Sequence, residues 1–218
     1  MNLINSSELM GLGNLPPNAP ERSNVKKAMR AKTGAISTKG ATGKAMYERL
    51  LYLVPPDIQA AVRNGRLQLV DEILYSVKPI GNLRDQELME SGDNKTAGLT
   101  NVDKRKIEAN KWTLLCGIQV LTAVSQEPTK ASFEVADTKF LNGEFELEVG
   151  NTVIVPNVSC AVFDTKGRTD VQKGLWKDFD PQFIIPNTEI KPRLKLAAPA
   201  EADTQVYFAM HCVSVAKN

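Results

Sequence analysis

From Lys111 to the end of the chain, apolar and polar positions alternate in short runs separated by turn residues. A period of two predicts half-buried β-strands. Phe145, Leu147 and Val149 alternate with Glu144, Glu146 and Glu148, and Gly150-Asn151 then turns the chain. Ile190, Pro192, Leu194 and Leu196 alternate with Lys191, Arg193 and Lys195, and Pro192 favours an edge strand. The last run, Gln205 to Val215, puts Val206, Phe208, Met210 and Cys212 on one face. It carries so few charges that a central position is expected, since a flat apolar edge invites aggregation. Trp112, Leu114, Cys116, Ile118, Val120, Thr122 and Val124 read as one face of a long strand. Shorter runs are Phe133 with Val135, Val153 to Val155, Val158 to Phe163, and Phe183 to Ile185, and Pro156 marks a bend or an edge. Strands without helical patterns between them predict an antiparallel sandwich or barrel rather than βαβ units.

Upstream, the periodicity changes. Met46, Leu50 and Leu53 recur at helical spacing, widened by Leu51 and Val54, so a helix is expected from about Lys44 to Leu53. Pro55-Pro56 ends it, Asp57 to Arg63 adds another turn or two, and Asn64-Gly65 stops that. Arg66 to Val77 fits both periods, but its β-branched and aromatic residues favour a strand. Asn82 to Asn110 is polar and charged and reads as a long loop with one helical turn. Residues 1–43 read as an arm. Gly11 to Pro20 excludes a regular helix, Lys32 to Gly43 has a flexible composition, and only Ser23 to Arg30 suits a short helix.

Composition sharpens this division. Residues 1–49 hold eight basic and three acidic side chains, whereas the remainder holds nineteen basic and twenty-two acidic ones. The net charge of +2 therefore conceals a basic arm on a mildly acidic body. Arg22, Lys26, Lys27, Arg30, Lys32, Lys39 and Lys44 follow one another with no acid among them. Such a run suits contact with a polyanion or anionic headgroups, docking on a protein neighbour, or a solvated tail. No aromatic residue interleaves these cations before Tyr47, which argues against a base-stacking platform. No apolar run approaches the roughly 20 residues that cross a bilayer, and Met1 to Asn5 lacks the pattern of a secretory signal.

Candidate chemistry is sparse. The segment Thr38 to Ala45 has the outline of a phosphate loop, but Thr38 replaces its first glycine and Ala45 its metal-binding hydroxyl. The single histidine, His211, argues against most histidine-based metal sites and relays, and no cofactor or metal is expected. Cys116, Cys160 and Cys212 are odd in number, widely spaced and set in apolar stretches, so they read as buried thiols of a chain made in a reducing compartment. Asp178 and Asp180 would share one face of an extended segment, a weak pointer to a hydrolase. Trp112 and Trp176 are expected core or interface anchors.

Two stretches carry a family resemblance. One is Phe179-Asp180-Pro181-Gln182-Phe183-Ile184-Ile185-Pro186-Asn187-Thr188, followed by the alternating run to Leu196; the other is Thr204 to Val215. A loop of this type, an alternating strand, a small-residue turn and a final apolar strand resemble the end of jelly-roll coat proteins, above all capsid proteins of non-tailed bacterial viruses. The resemblance spans about residues 110–218. It implies a single jelly roll and a homo-oligomeric capsid lattice, with other capsid proteins as further partners. The chain would be made in the host cytoplasm and end in the virion. Arg22 to Lys44 would face genome or inner membrane. It implies a non-catalytic, structural role as a major or an accessory subunit. The competing expectations are a ligand- or glycan-binding sandwich using Trp176 and the Asp164–Asp180 loops, and a hydrolase using Asp178 and Asp180.

Overall fold

The structure is a computed structural model and describes residues 43–133, 138–164 and 176–217. The expected arm residues Arg22, Lys26, Lys27, Arg30, Lys32 and Lys39 lie outside the described residues, as does Val135. The chain opens with helix α1 (Gly43–Leu50), extended by a 3₁₀ turn at Leu51–Leu53, and helix α2 (Pro56–Arg63). Pro56 suits the first turn of α2, where a missing N–H costs nothing, and Gly65 at φ 68° closes its far end. Tyr47, Leu51 and Val54 are the buried positions, whereas Leu53 is 55% exposed. The buried stripe keeps the expected spacing of 4 and 3 but is one residue out of step with the sequence expectation, because Tyr47 rather than Met46 faces the sheet.

Eight strands follow: β1 (Leu67–Pro79), β2 (Asp85–Glu87), β3 (Thr113–Val124), β4 (Glu144–Val149), β5 (Thr152–Ser159), β6 (Lys177–Ile184), β7 (Ile190–Lys195) and β8 (Thr204–Lys217). They form two four-stranded antiparallel sheets, ordered β1-β8-β3-β6 and β2-β7-β4-β5. The wiring has a simple rule. β1 pairs with β8, β2 with β7, β3 with β6 and β4 with β5, as in one long hairpin folded at the β4–β5 turn and then rolled. Contacts of β3 with β8 and of β4 with β7 close the roll. This is a single jelly roll.

Alternation fills the space between the layers. Ile118 and Val120 of β3, Phe145 and Leu147 of β4, Leu194 of β7, and Val206, Phe208 and Met210 of β8 are almost fully buried in one cluster. Phe145 stacks on Phe208 with ring centres 5.4 Å apart. A second cluster lies on the outer face of the first sheet, where Tyr47, Leu51 and Val54 of the helical cap cover Leu114, Cys116, Val213 and Val215.

Five further sequence expectations are corrected. The alternation of β3 does not run unbroken, because a bulge between Leu115 and Gly117 shifts its phase against both neighbours. Leu114 and Cys116 therefore face the helical cap, while Leu115, Ile118 and Val120 face the interior. Cys160–Phe163 is a 3₁₀ turn rather than the continuation of a strand, and Ser159 Oγ caps it by accepting from Ala161 N–H. Asn82 to Asn110 holds β2 and a set of turns instead of a helical turn, and Phe133 is not in a strand. Pro192 sits in an interior strand, between β2 and β4. Its carbonyl accepts from Leu88 N–H at 2.8 Å, just past the end of β2. The ring nitrogen faces that same side, where no ladder bond is required of it. By contrast Pro156 lies on β5, which is an edge as expected.

Candidate assembly surface

The expected site residues separate into three places. Lys44 stands on α1 with its ammonium 3.5 Å from the Asp71 carboxylate of β1. The other oxygen of Asp71 lies 4.0 Å from His211 Nε2 on β8, and Trp176 packs edge-on against the His211 ring at 6.0 Å. Lys44 and Trp176 thus meet at one spot through Asp71, a residue that sequence reasoning left unremarked. Both contacts of Asp71 are about half exposed, so each contributes little to stability. Trp112 sits elsewhere. It is half-buried in the cluster under the helical cap, faces Phe183 edge-on at 6.3 Å, and its carbonyl accepts from the Tyr47 hydroxyl at 3.3 Å. Asp178 and Asp180 are both exposed on β6, the edge strand of the first sheet.

The outer face of the second sheet is a lattice of opposite charges. The register sets Glu144 opposite Lys195, Glu146 opposite Arg193 and Glu148 opposite Lys191. Lys191 donates to Glu148 at 2.7 Å, and this bond holds the Glu148 carboxyl below its ordinary range. Arg193 reaches Glu87 of β2 at 3.2 Å, which raises the guanidinium's affinity for its proton. Arg105 stands between Glu87 at 2.8 Å and Glu189 at 3.1 Å. Glu144, Glu146 and Glu148 are thus one half of a cross-strand ladder.

The turns between β2 and β3 are pinned to the sheet edge in the same way. Lys78 bonds Asp93 at 2.5 Å, and Lys111 bonds Glu72 at 2.6 Å. Lys95 is paired with Glu108, a contact that holds the Glu108 carboxyl below its ordinary range. A cavity of about 200 Å³ beside β1 is lined by Glu72, Lys95, Glu108 and Lys111, which are paired with one another.

Burial pushes the thiol of Cys116 up to about 11 and that of Cys160 up to about 12, and it raises Cys212 well above the ordinary value. All three are protonated at neutral pH, which leaves them poor nucleophiles. Among the described residues no three His, Cys, Asp or Glu side chains are grouped to hold a metal ion, and no helix is long and apolar enough to cross a membrane. No protein-family model, curated protein or solved structure matches the chain.

Proposed function

We propose that the chain is a structural virion protein: a capsid subunit of a non-tailed bacterial virus that assembles with copies of itself. The observation that carries this reading is the pairing of β1 with β8, β2 with β7, β3 with β6 and β4 with β5, joined to a chain whose seven cations from Arg22 to Lys44 have no acid among them. A rolled hairpin of this kind suits a shell for a mechanical reason. It closes a dry core within one chain and leaves the outer face of the second sheet, stretches of sheet edge and connecting loops for neighbours. Shells gain stability from many modest contacts repeated by symmetry. The cations would meet genome, inner membrane or neighbouring subunits, and the role is non-catalytic.

Jelly rolls also serve as binding modules. In this chain the interior is filled by Phe145, Phe163, Phe208, Ile118 and Leu147, each under 2% exposed, which favours the shell over a ligand chamber between the layers. The test is light scattering coupled to size separation, followed by electron microscopy of the largest fraction. Closed particles or sheets whose formation depends on salt are expected. A monomer that persists at high concentration across salt conditions would overturn the reading.

A further inference from the structure

The first sheet ends on one side at β1, and the described residues cover only half of that edge. In an antiparallel ladder, every second residue turns its N–H and C=O away from the paired strand. On β1 these are the odd-numbered positions. Tyr75 N–H donates to Asn101 Oδ1 at 2.8 Å, Val77 N–H donates to the Leu99 carbonyl at 2.7 Å, and the Ile73 carbonyl accepts from Asn101 Nδ2 at 2.7 Å. The register with β8 continues from Pro79 to Leu67 without a shift. Leu67, Leu69 and Asp71 therefore point their main-chain groups outward as well, and among the described residues nothing pairs with them on that side. The stretch Leu67–Ile73 has no proline, no lysine and no bulge, and its charges, Asp71 and Glu72, are confined to one end of it, so the edge is only partly protected. Ile73, at the end of the stretch, is 47% exposed.

We propose that this edge pairs antiparallel with the same stretch of a second copy, about a two-fold axis at Leu69, and so joins two four-stranded sheets into one. The stretch is complementary to itself. In that register Leu69 meets Leu69, Gln68 meets Val70, Leu67 meets Asp71, and Arg66 comes opposite Glu72. Arg66 is exposed and makes no ion pair among the described residues, so each end of the pairing sets a cation opposite Glu72, which already holds Lys111, and no like charges face each other. A peptide of unrelated sequence would gain the backbone bonds without this match. The inference deepens the shell reading and rests on it in taking the partner to be a copy of the chain.

The test uses Asp71→Pro, because the Asp71 N–H faces away from β8 and its loss spares the monomer's own ladder. Asp71→Ala controls for the contacts to Lys44 and His211. Sedimentation of the full chain over a range of concentrations is expected to show that D71P self-associates roughly tenfold or more weakly than D71A. Equal association of the two overturns the proposal. Hydrogen exchange on the unmodified chain gives a reading that does not depend on how the variant folds. Amides of Leu69 and Asp71 should gain protection in step with association, and protection that ignores concentration, or none at all, overturns the proposal. Particles that form equally well from D71P remove this contact and leave the shell reading standing. Dimers blocked by D71P, with no larger assembly at any salt, support the contact and remove the shell.

Discussion

At the scale of single residues, the three thiols couple packing to pH. Burial raises Cys116 from an ordinary 9.0 to about 11 and Cys160 from 9.0 to about 12. Burial also raises the Tyr47 hydroxyl. A group whose folded pKa exceeds its unfolded value keeps its full contribution below the unfolded value and loses it as pH rises toward the folded one. The stability contribution of these groups is therefore intact at neutral pH and is lost upward from about pH 9. Urea midpoints are expected to fall between about pH 8 and about pH 10, without a matching fall between about pH 6 and about pH 8. Thiol reagents should modify all three cysteines in denaturant and almost none in the native chain. Rapid native labelling of Cys212 would contradict its complete burial.

At the scale of elements, a strained turn is held by its charges. Lys104 and Arg105 both adopt positive φ, 48° and 51°, and Lys106 N–H donates back to the Asp103 carbonyl at 2.9 Å. Left-handed backbone at non-glycine residues persists only where the surroundings impose it. Here Arg105 bridges Glu87 and Glu189, and its carbonyl accepts from Ile190 N–H at 2.8 Å. Arg105→Ala removes the bridge between two partly buried carboxylates and should cost about 1–3 kcal/mol in urea unfolding. Arg105→Lys should recover only part of this, since one ammonium does not span both partners. The same contrast between local pattern and distant partner explains what could be read in the sequence. β4, β7 and β8 are visible because one face of each is polar or uniformly apolar, so period two stands out. The bulge in β3 is hidden, because Leu114, Leu115 and Cys116 are apolar on both faces and look the same in either phase. Cys160–Phe163 is hidden for the same reason. The cations of the candidate site are visible as composition. Their partners Asp71, Glu87 and Glu189 are not, because they come from strands brought together only by the roll.

At the scale of the whole molecule, the roll makes the two ends of the folded body depend on each other. β1 pairs along its full length with β8, from Leu67 opposite Lys217 to Pro79 opposite Gln205. β8 also pairs with β3 from Thr113 to Val124, so it supplies the centre of the first sheet. Two of the three ladders in that sheet wait for the last strand, and such long-range closure predicts slow folding, on the scale of milliseconds to seconds. It also predicts a strong asymmetry between truncations. Every core residue named above lies after Thr42, so removal of residues 1–42 should leave the melting temperature of the body nearly unchanged while weakening polyanion binding and assembly. Loss of Thr204 to Asn218 should abolish cooperative unfolding altogether. It exposes the buried faces of β1, β3 and the helical cap at once, and Val206, Phe208, Met210 and Val213 have no substitute elsewhere. Circular dichroism melts of the two truncated chains decide the matter. A body that melts without its first 42 residues would place part of its core before Gly43, and a cooperative transition without β8 would mean that the sheet closes some other way.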